Sequence, residues 1–397
     1  MSQPVILAAK RTPIGRFLGG FSRTASPKLG GFAIDAVLAD VPAARDHVDE
    51  CIMGCVLQAG LGQNPARQAG LNAKLPDTLS AMTVNKVCGS GLQAVMLAAQ
   101  SIKAGDNALV VAGGMENMTM APHFAHIRQG VKFGDATMFD HMQYDGLRCA
   151  FEGWPMGNAA DHIASMHNVS RDEQDRFAAQ SHQRAAAAAS AGHFAAEMVT
   201  FTGEQLGNRK VPGPEGGVQG DEGIRGDSTS AGLAKLPAVF TKDGSVTAGN
   251  ASQISDGAAA VVVASEAKAI ELGVTPMARI VDYYTSGVAP KDIFHAPALG
   301  IQAILDRNSL TVADIDLFEL NEAFAAQALA NIKVVGIPED KLNICGGGIA
   351  LGHPIGASGA RILTTLLYQL ARTNGRHGIA SLCLGGGNSV SMLIERI

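Results

Sequence analysis

The chain has few charged and few aromatic residues. Charged side chains make up 17% of its 397 residues and aromatic ones 5%, whereas hydrophobic residues make up 47% and glycine occupies 47 positions. A disordered chain is richer in charge, so this composition indicates tightly packed, buried layers. The length exceeds what one hydrophobic core usually supports, and we therefore expect two or more domains.

Blocks of basic residues and long apolar runs are also missing. Lysine and arginine total 31 against 36 acidic residues, a net charge of −5. This balance argues against nucleic acid or an anionic membrane as a partner. The first apolar segment is too short for a signal peptide, and no stretch approaches 18 uninterrupted apolar residues. We therefore expect a soluble protein of a reducing compartment, most simply the cytoplasm.

Six cysteines in a chain of this length do not make a disulfide scaffold. Cys51 and Cys55 lie in a strand-like apolar run, which predicts core residues rather than metal ligands. No other cysteine and histidine pair has zinc-like spacing, so no metal site is expected. Cys149 and Cys345 have no polar neighbours that suggest chemistry, and we predict structural roles for both.

Cys88 opens the run VCGSG (residues 87–91), and no charged residue occurs from Gly89 to Ile102. This pattern predicts a thiol at the start of a deeply buried helix. The unpaired N–H groups and the dipole of a helix N-terminus favour thiolate over thiol, which would make Cys88 a nucleophile. A core cysteine is the alternative, because free cysteine is among the most buried residue types.

The sequence also contains a faint internal repeat. Each copy has the order helix, strand, glycine-rich turn with Ser-Gly, long apolar helix, strand and double glycine, a pattern typical of α/β folds with helices covering a mixed or parallel sheet. The matching pairs are Val48–Val56 with Ile315–Ala323, Ser90-Gly91 with Ser358-Gly359, and Gly113-Gly114 with Gly385-Gly386. Two similar α/β halves are therefore predicted.

Between these halves the composition changes, which predicts an inserted loop domain at residues 118–247. Residues 1–117 and 248–272 would form the N-terminal half, and residues 273–397 the C-terminal half. The insertion contains one well-defined helix, capped by Ser170 with Glu173 completing a capping box, and ending at Gly192.

Three further polar residues lie at strand ends or glycine-rich turns, where loops commonly carry function. They are Asn321 in NEAFA, His353 in GHPIGASG and Cys383 in CLGGG. The glycines before Arg361 imply close approach of the backbone to a ligand or to itself. A P-loop is excluded because its Lys and Ser/Thr are missing, and a Rossmann motif is excluded because no GxGxxG follows the first strand.

The motifs VCGSG, NEAFA, GHPIGASGAR and CLGGG, in this order, resemble those of the thiolase family. The resemblance extends over essentially the whole chain, through RTPIG, GGMENM, SRDEQD and TAGNAS. It implies the duplicated thiolase fold, with two similar α/β halves whose mixed sheets are layered with helices in the order α-β-α-β-α.

The resemblance also implies roles for five residues. Cys88 would be the nucleophile that accepts the acyl group, and His353 the base that takes its proton. Cys383 would be the second acid/base, with an ordinary thiol pKa suited to proton exchange near neutral pH. Asn321 would hold a water that forms one oxyanion hole with His353, and the N–H groups of Cys88 and Gly385 would form a second.

For substrate binding, the resemblance implies coenzyme A thioesters and no metal or redox cofactor. Ser252 would bind the pantetheine arm, Met156, Ala323 and Phe324 would line the acyl end, and Arg225 would approach the adenine or phosphates, or be a solvated loop charge. A homotetramer is expected, supported by the apolar segment from Met120 to Met142, which has few ways to bury itself on one subunit.

The expected reaction is the reversible condensation of two acetyl-CoA molecules to acetoacetyl-CoA and CoA through an acetyl-Cys88 intermediate. Alternatives are a broader 3-ketoacyl-CoA thiolase, a decarboxylating ketoacyl synthase and a catalytically silent acyl-CoA or lipid binding protein. The chain departs from the family pattern at Pro155, where a histidine is usual, and at Gln253, where glycine is usual. Because proline stiffens the loop and donates no hydrogen bond, the acyl chain-length preference is left open.

Overall fold

The computed structural model describes residues 2–207 and 214–397, so residues 208–213 of the predicted insertion lie outside the described residues. The described chain is an α/β protein built on a large mixed sheet layered with helices, as predicted. The first part of the chain contains β1 Pro4–Arg11, β2 Gly15–Arg16, α1 Ser26–Asp40, β3 Glu50–Gly54, α2 Pro65–Asn72, β4 Ser80–Val84, α3 Ser90–Ala104 and β5 Leu109–Asn117.

The described residues in the middle of the chain add two short strands, a π-helical segment at Met142–Leu147 and four α-helices. The strands and α-helices are β6 His123–Phe124, β7 Phe139–Asp140, α4 Met156–Met166, α5 Arg171–Ser190, α6 Gly203–Leu206 and α7 Ser230–Leu233. The predicted capping box at Ser170 is confirmed: the N–H of Glu173 donates to Ser170 Oγ at 3.2 Å, and the N–H of Ser170 donates to Glu173 Oε2 at 2.7 Å.

The last part of the chain returns to the large sheet. It contains β8 Ser255–Ser265, α8 Glu266–Glu271, β9 Ala278–Gly287, α9 Ala296–Arg307, β10 Leu317–Leu320, α10 Ala325–Val335, α11 Gly348–Leu351, α12 Ser358–Thr373, β11 His377–Leu384 and β12 Asn388–Arg396. No helix in the described ranges has both the length and the apolar character needed to cross a membrane.

The strand order shows the duplication. The sheet runs β10-β11-β12-β9-β1-β8-β5-β3-β4, with β2 paired to β8. The order β3-β5-β8-β1 in one half matches β10-β11-β12-β9 in the other, with the same parallel and antiparallel pairings. The two halves join where β1 and β9 pair antiparallel over two residues only, Val5 with Arg279 and Ile6 with Ala278.

Two of the three predicted repeat pairs agree with this topology. Ser90 and Ser358 are the first residues of α3 and α12, and the first matched segments contain β3 and β10. The third pair is wrong. Gly113 and Gly114 lie inside β5, opposite Met53 and Gly54 of β3, whereas Gly385-Gly386 follows the end of β11. The sequence alone does not distinguish a double glycine inside a strand from a double glycine in a turn.

The core has three main layers of apolar side chains. Helices α3 and α12 pack against each other at the centre, between strands of the two halves. Helices α1 and α2 cover one outer face, and α9 and α10 cover the other. Successive side chains of β1 point to opposite faces of the sheet, so this strand contributes to two layers. Val5 and Leu7 face the α1 side, and Ile6 faces the central helices. The uncharged part of α3, from Ser90 to Ile102, is largely buried as predicted.

Candidate active site

Most of the predicted site residues meet at one cavity of about 400 Å³. Its walls come from loops that follow β4, β10 and β11, from the turn before α12, and from the segments at 143–157 and 251–254. The predicted residues that line it are Cys88, Met156, Ser252, Ala323, Phe324, His353, Cys383 and Gly385. The fold therefore brings together residues up to 297 positions apart in the chain, the separation of Cys88 and Gly385.

Cys88 lies in a tight turn between β4 and α3. The preceding Val87 has φ of 48°, a left-handed conformation that is strained for a β-branched residue and is often found at functional sites. Burial raises the pKa of the Cys88 thiol to about 12, although the N–H groups of Cys88 and Gly385 act in the opposite direction. The expectation that the helix start favours a thiolate is therefore wrong, because desolvation outweighs the backbone dipoles.

His353 is held by hydrogen bonds on both its ring and its backbone. Its Nδ1 lies 2.6 Å from Ser358 Oγ, and Ser358 Oγ in turn donates to the carbonyl oxygen of Pro354 at 3.0 Å. The Ser358 hydroxyl has one proton and donates it to Pro354, so its oxygen can only accept a hydrogen bond from His353. The ring proton therefore lies on Nδ1, and Nε2 is the basic nitrogen. Burial first, and then the charge of Arg361, lower the pKa of His353 to about 3. The resting pair is therefore a neutral thiol and a neutral imidazole.

Asn321 lies behind His353 rather than on the cavity wall. It follows β10, is fully buried, and its N–H donates to the carbonyl oxygen of Ser381 at 2.9 Å. Its Nδ2 faces His353 Nε2 at 3.4 Å. Within the described part of the chain, its Oδ1 has no hydrogen-bond partner. Asn321 thus presents amide groups to the ring nitrogen that acts as the base.

Cys383 is the last but one residue of β11, and Gly385 opens the turn into β12. Burial raises the pKa of Cys383 well above its usual value, and the nearby Cys88 sulfur raises it further. The prediction of an ordinary thiol pKa for Cys383 is therefore wrong. The electrostatic effect of one cysteine on the other reflects two thiols that share one cavity.

The predicted substrate-binding residues divide into two groups. Ser252, Ala323, Phe324 and Met156 line the cavity, and the N–H of Ser252 donates to the carbonyl oxygen of Ala323 at 3.0 Å. Arg225 does not line it; this residue is exposed, and its N–H donates to His182 Nδ1 at 3.1 Å. The structure therefore does not bring Arg225 to the acyl end.

A small hairpin that no sequence motif indicates closes one side of the cavity. Arg148 pairs with Pro155, and the N–H of Cys149 donates to the carbonyl oxygen of Trp154 at 2.7 Å. Phe151, at the tip, is 72% exposed and lines the cavity beside Gly386. Cys149 is buried and lines the cavity too, and its structural role stays a prediction.

Glu116 also contributes to the site, although no sequence motif indicates it. This fully buried carboxylate accepts hydrogen bonds from the N–H groups of Val56 at 3.0 Å, Leu57 at 3.1 Å and Gly356 at 2.9 Å. It thereby ties the loop after β3 to the turn that carries His353. Burial raises the pKa of Glu116 to about 7, with the three N–H groups acting in the opposite direction.

Among residues 2–207 and 214–397, no group of three or more His, Cys, Asp or Glu side chains is arranged to hold a metal ion. The chemistry available at the cavity is that of two thiols, a neutral imidazole with its free nitrogen facing an amide, and backbone N–H groups at Cys88 and Gly385. This set suits nucleophilic acyl transfer, in which a thiol attacks a carbonyl carbon and N–H groups bind the developing oxyanion.

Comparison with known families agrees with this chemistry. The profile of the thiolase N-terminal domain matches residues 4–267, and that of the thiolase C-terminal domain matches residues 274–396. Together the two profiles cover nearly the whole chain. The chain belongs to the thiolase family.

Similar proteins cover the chain from end to end. An acetyl-CoA acetyltransferase of Shinella zoogloeoides is 48% identical over 400 residues, covering 100% of both chains. An acetyl-CoA acetyltransferase of Escherichia coli (strain K12) is 47% identical over 399 residues, again covering 100% of both. A probable acetyl-CoA acyltransferase of Staphylococcus aureus (strain COL) is 45% identical over 397 residues with the same coverage.

Proposed function

We propose that this chain is an acetyl-CoA C-acetyltransferase, which reversibly condenses two acetyl-CoA molecules to acetoacetyl-CoA and CoA. The observation that carries the proposal is the shared cavity of Cys88, His353 and Cys383, with Gly385 beside them. Full-length similarity to proteins named acetyl-CoA acetyltransferase supports this substrate. Coenzyme A thioesters are substrates in this scheme, and the chemistry uses the side chains and N–H groups of the chain together with one water held on Asn321.

In the first stage, the Cys88 thiol loses its proton to His353 Nε2 as its sulfur attacks the carbonyl carbon of acetyl-CoA. The N–H groups of Cys88 and Gly385 bind the oxyanion of the tetrahedral species. Collapse breaks the bond to the CoA sulfur, which takes a proton from Cys383. Acetyl-Cys88, an imidazolium and a Cys383 thiolate remain, so the two new charges arise together and offset each other in a buried cavity.

In the second stage, the Cys383 thiolate removes a methyl proton from the second acetyl-CoA. The enolate oxygen is stabilised by the imidazolium Nε2–H and by a water held on Asn321, a role supported by the unpartnered Oδ1 of this residue among the described residues. The carbanion attacks acetyl-Cys88, and the released Cys88 sulfur takes the proton from His353. Both cysteines and the imidazole return to their neutral forms.

The inserted segment, residues 118–247, is proposed to form a separate loop domain that takes part in substrate entry. Residues 1–117 and 248–272 would then form the N-terminal half, and residues 273–397 the C-terminal half. Ser252 is proposed to bind the pantetheine arm at the cavity wall, and Met156, Ala323 and Phe324 to contact the acyl end. The exposed position of Arg225, outside the cavity, is compatible with a contact to the adenine or phosphates rather than to the reacting atoms.

We further propose a homotetramer that works in the cytoplasm. The segment from Met120 to Met142 supports self-association, because it exposes large apolar side chains, including Phe133 at 100% and Met138 at 63%. A reducing compartment is supported by the chemistry, since Cys88 and Cys383 must both remain thiols in the resting enzyme. Light scattering at micromolar concentration that gave the mass of a monomer would contradict the tetramer.

A broader 3-ketoacyl-CoA thiolase is the second candidate, and the cavity wall favours it. Pro155 stands at the N-terminus of α4 beside Met156, and the surrounding wall is mainly apolar. An apolar wall accepts extra methylene groups and discriminates weakly between chain lengths, since each methylene contributes about 1–3 kcal/mol. Longer acyl chains would therefore compete with acetoacetyl-CoA if the cavity can hold them.

Thiolysis of 3-ketoacyl-CoA substrates of increasing chain length, with free CoA, distinguishes these candidates. Turnover confined to acetoacetyl-CoA, and lost in a Cys88→Ser variant, is the result expected of an acetyl-CoA acetyltransferase. Comparable turnover of longer chains would establish the broader thiolase, and Pro155→His would then be the first variant to test for a narrower range. Absence of turnover at every length would refute both candidates.

A further inference from the structure

The side chain of Gln253 connects two loops at the cavity wall. Its Nε2, which carries two N–H groups, lies within hydrogen-bond distance of three carbonyl oxygens, those of Gly223 at 2.9 Å, Ile349 at 3.0 Å and Ala350 at 3.2 Å. An amide oxygen in the same place would face three carbonyl oxygens, so the nitrogen must occupy it. Gly223 is a buried residue of the loop that also contains the exposed Arg225, whereas Ile349 and Ala350 belong to α11, directly before the turn of His353.

The backbone of Gln253 holds His353 directly. The N–H of His353 donates to the carbonyl oxygen of Gln253 at 3.1 Å, and the same carbonyl accepts from Ser255 Oγ at 2.8 Å. Ser255 Oγ also lies 3.3 Å from the N–H of His353. Gln253 therefore fixes the His353 turn at two points, through its side chain on α11 and through its carbonyl at the base itself.

We infer that Gln253 is a positioning residue that sets His353 for proton transfer and couples its placement to the loop at Gly223. The inference rests on the proposed function for its kinetic part, because that loop is proposed to lie along the CoA arm. Gln253 lines the cavity without offering an acid or a nucleophile, so it acts through the groups it holds.

The physical reason for an effect on rate is the short reach of proton transfer. His353 Nε2 must stand within hydrogen-bond distance of the Cys88 sulfur, and displacements of about 1 Å in such geometry lower rates by about 100-fold. Removing the amide leaves three carbonyl oxygens without their donor. Because an unsatisfied buried acceptor is unfavourable, the segments that carry these oxygens can shift to expose them to water. The result is a less precisely placed base and a less ordered loop at Gly223.

The test compares Gln253→Met with Gln68→Met. Methionine keeps the length of glutamine but donates no hydrogen bond. Gln68 is a matched control, because it is also half-buried and its Nε2 donates to two backbone carbonyls, those of Leu61 at 2.8 Å and Gln63 at 2.9 Å, in the loop before α2. It does not line the cavity. Both variants lose a glutamine that fastens a loop, so a general cost to folding affects both.

We expect Gln253→Met to lower kcat for thiolysis of acetoacetyl-CoA by about 10- to 100-fold, because a displacement of the base by up to about 1 Å has an effect of this size, and to raise the KM for CoA. The rate at which iodoacetamide alkylates Cys88 without substrate should fall as well, since His353 assists loss of the thiol proton. Gln68→Met should keep the kcat, KM and alkylation rate of the unaltered protein.

Equal kinetic constants in Gln253→Met and the unaltered protein would overturn the inference. This holds even if the melting temperature of the variant is lower, because Gln253 would then have only a structural role. If Gln253→Met does not fold, Gln253→Asn, whose amide is one methylene too short to reach all three carbonyls, should show the same kinetic defect. Failure of the unaltered protein to turn over any thioester would count against the proposed function only, because the alkylation rate still decides the role of Gln253.

Discussion

Ser358 Oγ lies 2.6 Å from His353 Nδ1 and donates its own proton to the carbonyl of Pro354. This chain of two hydrogen bonds fixes the imidazole tautomer whose Nε2 is free to act as a base. Ser358 is also the first residue of α12, so the long central helix positions the group that orients the base.

Replacing Ser358 by alanine should therefore lower kcat by about 10- to 100-fold with a small effect on KM, because the ring loses the acceptor that selects its tautomer. Steady-state kinetics of acetoacetyl-CoA thiolysis would measure this effect. Ser358→Thr keeps the hydroxyl and should retain most of the rate. An alanine variant with unaltered kcat would show that Ser358 does not orient the ring.

Cys88 should react with iodoacetamide ever faster as pH rises, without levelling off below about pH 10. Burial raises the pKa of its thiol to about 12, so the thiolate fraction still grows tenfold per pH unit where an ordinary cysteine, with a pKa near 8.5, has already levelled off. Rates of inactivation between pH 7 and pH 10 test this, with circular dichroism confirming the fold at each pH. A plateau near pH 8 would contradict a raised pKa.

Gly114→Ala should destabilise the protein by about 3 kcal/mol and lower its activity. A Cβ at this position in β5 would lie 2.0 Å from the carbonyl oxygen of Gly356, in the turn that carries His353. Two backbones meet there, so neither can move aside without displacing a strand or that turn. Urea unfolding with a thiolysis assay would measure both effects.

Gly220→Ala is the matched control for this change, because a Cβ there meets no atom within 4 Å among the described residues and the φ angle is not positive. Its stability and activity should stay close to those of the unaltered protein. Equal stability of the two alanine variants would mean that the backbones at Gly114 and Gly356 separate at little cost.

Local motifs explain what could be predicted from the sequence. Cys88, His353 and Cys383 each lie in a short motif whose glycines mark a turn, and the repeat gave the two-half architecture, so these residues and the layered fold could be placed in advance. Glu116 and Gln253 could not, because their partners are distant. Glu116 binds Gly356 across 240 positions, and Gln253 binds Ala350 across 97.

The pKa values of the cysteines were predicted wrongly for a related reason. The helix that follows Cys88 predicts a thiolate when it is considered alone, and the intrinsic acidity of a thiol alone predicts an ordinary pKa for Cys383. Desolvation depends on everything packed around the sulfur, here the walls of the cavity, and it is the largest influence on both thiols. Burial of that kind follows from the tertiary fold and leaves no signal in the motifs.

Glu116 should make the stability of the protein fall as pH rises from 5 to 8, relative to a Glu116→Gln variant. Burial raises the pKa of this carboxyl from an ordinary value of 4.5 to about 7, so the folded protein keeps a proton that the unfolded chain loses. The stabilisation is complete below pH 4.5 and disappears as pH rises through 7. The free energy of unfolding of the unaltered protein, minus that of the variant, should decrease by about 3 kcal/mol over this range. Urea unfolding of both proteins at pH 5, 6, 7 and 8 measures the difference, and parallel pH curves would show that Glu116 titrates alike in the folded and unfolded chains.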